Sequence, residues 1–91
     1  MGTREAKVET YLHQQLTLRG GTSYKWIGTR GVPDRICCLP GMGLFAVEVK
    51  TTDGKLSPAQ LRMHDKMHKC GGEVYTVYGV GDVDTLIRSL K

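Results

Sequence analysis

Nowhere in the 91 residues is there an apolar run of the ~18 residues that a membrane-spanning helix needs, so no membrane span is expected. The opening Met1-Gly2-Thr3-Arg4-Glu5 lacks the apolar stretch of a secretory leader. Three cysteines cannot all pair within one chain, and Cys37 and Cys38 are neighbours that point to opposite faces of a strand. Reduced thiols in a cytoplasmic protein are therefore expected rather than a disulfide framework. His64, His68 and Cys70 match no common zinc spacing and lack a fourth ligand, and they read as surface histidines and a buried thiol. Gly41, Gly43 and Gly54 lack the strand–loop–helix setting of a phosphate-binding loop. Trp26 stands alone of its type, and a lone tryptophan in a short strand suits a core or dimer contact better than base stacking. There is no repeat, low-complexity tract or linker. Residues 1–91 make one domain with a modest core, in a size range where self-association often adds burial.

What is present begins with charge. Thirteen Lys and Arg face nine Asp and Glu, a net +4 that suits a polyanionic partner without requiring one. The elements follow from periodicity and caps. Val8, Leu12 and Leu16 predict a helix from Arg4 to Leu18, with Thr3 as its cap and Gly20-Gly21 as its stop. Ser23–Ile27, Asp34–Leu39 and Leu44–Lys50 read as strands, with Gly28–Pro33 a loop between the first two. Ser57-Pro58-Ala59-Gln60 is a strong helix start: serine caps, proline takes the first position, and glutamine at the third closes a capping box. That helix should run to Lys69 and stop at Gly71-Gly72. Glu73–Val80 alternates as a fourth strand, and Asp82 should cap a short closing helix bearing Val83, Leu86, Ile87 and Leu90.

The chemistry lies where the second and third strands end. If the Pro40-Gly41-Met42-Gly43 turn centres near Gly41, Asp34 falls directly opposite Glu48, with Cβ atoms ~5 Å apart. Glu48 and Lys50 share a face, while Phe45, Val47 and Val49 take the other. Charge at the end of a core strand is costly unless a cation and a phosphate compensate it. Mg²⁺ or Mn²⁺ held by hard carboxylate oxygens can do this, activating water and relieving charge in phosphodiester hydrolysis. Asp34 and Glu48 are thus candidate metal ligands, with the Val49 carbonyl a possible neutral oxygen. Lys50 is a candidate to assist the water or the phosphate. Glu5 and Glu9, four residues apart on the first helix, compete to supply a further ligand. Gln60 fits both its capping role and a second one, holding water or phosphate near Lys50. Arg30, Arg35 and Lys55 surround the site and are expected to contact phosphates.

Taken together, Gly31-Val32-Pro33-Asp34-Arg35-Ile36, Phe45-Ala46-Val47-Glu48-Val49-Lys50 and Leu56-Ser57-Pro58-Ala59-Gln60-Leu61 resemble the virus-type replication-repair nuclease (VRR-NUC) family. That family belongs to the PD-(D/E)XK restriction-endonuclease-like superfamily. The resemblance implies an α/β fold with an α-β-β-β-α-β core, a mixed central sheet flanked by helices, and here a short C-terminal helix. It implies Mg²⁺- or Mn²⁺-dependent cleavage of DNA, with Asp34 and Glu48 as ligands, Lys50 as the catalytic lysine and Gln60 as the helix glutamine. Glu9 corresponds to the acidic residue of the first helix. Stand-alone members are similar to Holliday-junction resolvases, so a homodimer acting on four-way junctions in DNA repair, within a bacterial or phage-infected cell, is the expectation. A nickase, flap nuclease or exonuclease of the same fold is the alternative, as is a catalytically idle DNA-binding module.

Overall fold

The computed structural model describes residues 4–51 and 53–90, so Thr3 lies outside it. Helix α1 (Arg4–Leu18) buries the expected stripe of Val8, Leu12 and Leu16. Fully burying each of these leucines contributes roughly 1.5–3 kcal/mol. The helix stops because Gly20 adopts φ +84°, letting Gly21 N–H reach the Leu16 carbonyl at 2.8 Å and Gly20 N–H the Thr17 carbonyl at 3.0 Å.

Strands β1 (Thr22–Lys25), β2 (Arg35–Leu39), β3 (Gly43–Val49) and β4 (Val74–Val77) form one sheet in the order β1-β2-β3-β4. The first three are antiparallel, and β4 runs parallel to β3. The parallel step requires a crossover, which is helix α2 (Pro58–Lys69); helix α3 (Val80–Ser89) closes the chain. In the β2–β3 hairpin Arg35 pairs with Val47 and Leu39 with Gly43, the register centred on Gly41. One step further places Asp34 opposite Glu48.

Two strand ends differ from expectation by more than one residue. β1 ends at Lys25, with only Trp26 N–H still bonding the Asp34 carbonyl at 2.9 Å, and Ile27 is exposed. β4 ends at Val77 because the Asp82 carboxylate takes the Tyr78 N–H at 2.8 Å and turns the chain. Asp82 therefore lies inside the first turn of α3, whose cap is Gly79 and has no side-chain bond.

The sheet separates two environments. On one side, α1 and α3 pack over Cys37, Phe45, Val47, Val49 and Val77, forming the apolar core with Leu12, Leu16, Val83 and Ile87. On the other side α2 covers Glu48. Cys37 and Cys38 divide across the sheet as period-2 geometry requires, Cys37 in the core and Cys38 half-buried. Burial pushes the Cys37 thiol up to about 12, so it is an inert core group. Among the described residues no helix is long and apolar enough to cross a membrane.

Candidate active site

Asp34 is the first residue before β2, and three interactions define its place. Its carbonyl accepts from Trp26, and its carboxylate Oδ2 accepts the Val49 N–H at 2.7 Å. The carboxylate thus supplies the hairpin rung that Pro33 and Asp34 would otherwise leave open at the strand end. Its neighbour across the hairpin, Glu48, is 1% exposed. The register that pairs Arg35 with Val47 sets the two carboxyl-bearing residues side by side on the same face.

Such a pair cannot hold two negative charges cheaply. Glu48 is pushed up to about 8, chiefly by loss of water, then by the hydrogen bond and negative charge of Asp34, with Glu5 adding to the effect. The Lys50 ammonium opposes the shift. At neutral pH, without a cation, Glu48 therefore keeps its proton.

Helix α2 closes over this carboxyl from the far side of the sheet. Ser57 and Gln60 form the expected reciprocal cap: Gln60 N–H donates to Ser57 Oγ at 3.1 Å, and Ser57 N–H donates to Gln60 Oε1 at 2.8 Å. The remaining end of the same amide, Nε2, donates to Glu48 Oε2 at 3.3 Å. Capping and site contact are thus one side chain's two ends. One turn on, His64 Nε2 meets Glu48 Oε1 at 3.2 Å. Burial, the His68 charge and the Lys50 charge hold the His64 pKa down against the opposing pull of Asp34. A neutral imidazole beside a protonated carboxyl makes this a hydrogen bond rather than an ion pair.

His64 is the site residue that sequence reasoning missed, since it reads there as a surface histidine; it is 8% exposed. The signal was its spacing, one turn after Gln60 and hence on the same helix face. Cys70, expected buried, is instead the exposed C-cap of α2. If the carboxyl pair holds a divalent cation, replacing His64 with Leu should weaken Mn²⁺ binding and cleavage by roughly 10–100-fold, while His64→Gln should retain more of both. Calorimetric Mn²⁺ titration of the two variants checks this.

The other expected site residues divide. Lys50 follows β3 directly, half-buried, its N–H bonded to the Val77 carbonyl at 3.0 Å and its charge felt by both Glu48 and His64. Val49 gives its N–H to Asp34. Arg30 and Lys55 are exposed. Glu9 does not join the carboxyl pair: its two oxygens meet Arg35 Nη1 at 3.1 Å and Lys25 Nζ at 3.5 Å. Of the two helix-1 candidates, it is Glu5 whose charge reaches Glu48. Arg35 is likewise turned away from any phosphate. Its guanidinium, also bonded to Ser23 Oγ at 3.0 Å, lies on the α1 side, because adjacent strand residues must face opposite ways.

No family model matches the chain. Its sequence is 38% identical over 73 residues to a protein named "Putative nuclease p44" of Acyrthosiphon pisum secondary endosymbiont phage 1, covering 78% of each chain. A solved structure described as "VRR_NUC domain" is similar over 99% of this chain and 100% of its own, with 32% identity and a TM-score of 0.88. The chain belongs to the VRR-NUC family. A second solved structure, "VRR_NUC domain protein", superimposes with a TM-score of 0.75 over 99% of this chain and 89% of its own. At 17% identity it speaks for the fold alone.

For a VRR-NUC nuclease the donor chemistry fits a divalent cation. Among the described residues no three His, Cys, Asp or Glu side chains form a group able to hold a metal unaided. Two hard carboxyl groups, one just before β2 and one near the end of β3, are the donor type that suits Mg²⁺ or Mn²⁺, ions that commonly complete their shell with water and substrate phosphate. The Asp34–Glu48 pair, in which the charge of Asp34 helps to hold Glu48 protonated, is one that a cation would relieve.

Proposed function

We propose that this protein is a metal-dependent, structure-selective endodeoxyribonuclease that works as a homodimer and resolves four-way DNA junctions. The observation that carries the reading is the Asp34–Glu48 pair, with Glu48 buried to 1% exposure and Lys50 beside it. A folded chain has no use for two crowded carboxyls unless something positive sits there.

Mg²⁺ or Mn²⁺ held by Asp34 and Glu48, with the Val49 carbonyl as a neutral donor, would supply charge to the phosphate oxygens and acidify the attacking water. The chain's own groups do the rest. Val49 N–H fixes Asp34, and Gln60 Nε2 and His64 Nε2 each fix one oxygen of Glu48. Preorganised in this way, the carboxylates need not rearrange during the reaction. The Lys50 ammonium, whose charge acts on the same carboxyl, would stabilise negative charge gathering on the scissile phosphate. Arg30 and Lys55 grip neighbouring phosphates without reading bases.

The homodimer is supported by the part of the sheet that α2 leaves uncovered. Tyr24 and Leu44 are 63% and 68% exposed there, on the same face as Glu48. A second copy laid on that face would bring two sites together about a twofold axis, which suits paired nicks on a symmetric junction.

The test is cleavage of a fixed four-way junction, a flap, a nicked duplex and linear DNA under Mg²⁺ or Mn²⁺, with sedimentation of the same sample. Symmetric metal-dependent cuts across the junction by a dimer are expected. Cuts confined to flap or linear DNA by a monomer would replace this reading with the nickase or exonuclease one. Binding without turnover in any metal would leave an idle module.

A further inference from the structure

Beside the face of α2 that holds Glu48, the helix borders an open depression of about 370 Å³ lined by Arg30, Ala59, Arg62, Met63 and Lys66. Its far wall is the loop that leads into Pro33-Asp34. That loop is pressed against the helix: Gly31 has φ +94°, and a Cβ there would come within 2.7 Å of the Ala59 carbonyl. The groove therefore has two tethered walls, one the loop that leads to Asp34 and the other the side of α2 that bears Ala59, Arg62, Met63 and Lys66.

Its charge is one-sided. Arg30, Arg62 and Lys66 are exposed, and none of the three has an ion pair or side-chain hydrogen bond among the described residues. No acidic side chain lines the depression. The nearest carboxylate along the helix, Asp65, is taken by Lys69 at 3.0 Å. Arg62 and Lys66 stand one turn apart, about 6 Å along the helix axis, and Arg30 faces them across the cleft. Three unneutralised cations held in one concave strip raise the local potential for a polyanion. Met63 and Ala59 offer no base-like hydrogen-bonding edge, so the groove suits a phosphate backbone rather than a base sequence.

We propose that the Arg30–Arg62–Lys66 groove is a docking track for the phosphate backbone of one DNA arm beyond the cleaved phosphodiester, set by charge and not by sequence. It rests on the nuclease reading above and extends the contact surface past Arg30 to two residues of α2.

The full-length protein, in EDTA to prevent cleavage, would be titrated with a fixed four-way junction and a linear duplex across a salt series. Arg62→Glu/Lys66→Glu should weaken binding at least tenfold at ~50–100 mM salt. The milder Arg62→Gln/Lys66→Gln should lower the slope of log Kd against log salt by about 2, near 0.9 per lost phosphate contact. Arg88→Glu, an exposed position on α3 across the sheet, should leave both readouts near the parent's and so controls for net charge. If the parent binds and cuts DNA while both double variants keep its affinity and slope, or if Arg88→Glu weakens binding equally, the track is wrong and the nuclease reading stands. A parent that neither binds nor cuts any DNA overturns both.

Discussion

Glu48→Gln will abolish cleavage, by at least about a thousandfold, and will make the metal-free protein more heat-resistant at alkaline pH. The loss of activity follows if Glu48 is one of the two carboxylates that hold the proposed cation. The gain in stability follows from where that carboxyl titrates. In the unfolded chain it titrates near 4.5, and in the folded protein near 8. Below pH 4.5 both states carry the proton and the site costs nothing. As pH rises towards 8, the unfolded chain releases its proton first, so the favourable contribution of the neutral carboxyl drains away. Glutamine keeps a neutral group of the same shape at every pH, facing the same Gln60 and His64 partners. The variant should melt at least about 5 °C above the parent at pH 9 in EDTA, roughly 1 kcal/mol for a chain of this size. The two should coincide near pH 4.5. Scanning calorimetry at both pH values decides it, and an equal gap at the two would show that burial of Glu48 is not the cause.

Lys50→Ala carries the second large effect. The side chain is half-buried at the end of β3, and its backbone bond to Val77 does not depend on the side chain. Folding should survive its removal, and cleavage should fall by roughly 10²–10³-fold through loss of one preorganised positive group. A second consequence is separable from the first. Lys50 holds the Glu48 pKa down, so without it the carboxyl keeps its proton to still higher pH. A cation must displace that proton, so Mn²⁺ affinity measured against pH should show a midpoint moved upward relative to the parent. Wild-type nicking rates, or an unmoved midpoint, would remove Lys50 from the site.

Much of this site could be read before any coordinates. The hairpin register depended only on a short glycine-rich turn flanked by two apolar runs, and that register alone sets Asp34 against Glu48. The start of α2 was equally plain, because Ser57, Pro58 and Gln60 act through local hydrogen bonds that tertiary context does not alter. What escaped depended on facing. Arg35 looked like part of the site through adjacency to Asp34, although strand geometry alone sends it to the other side. Glu9 looked like a ligand through its place on the first helix. Only the packing of α1 decides that Arg35 and Lys25 claim it, while the charge of Glu5 adds to the field at Glu48. His64 was hidden because, among the charged residues of a polar helix, its spacing from Gln60 was the one sign that it shares the buried face.

The sheet, one layer thick, acts as a bulkhead between two tasks. Behind it lie the leucines and valines of α1 and α3, together with the Glu9–Arg35–Ser23 cluster, and these hold the protein together. In front lie the carboxyl pair, the amide and imidazole that orient it, and the basic groove. Substitutions on the front can therefore retune which nucleic acid is accepted with little risk of collapse. A small protein divided in this way can change its clientele without rebuilding its foundations.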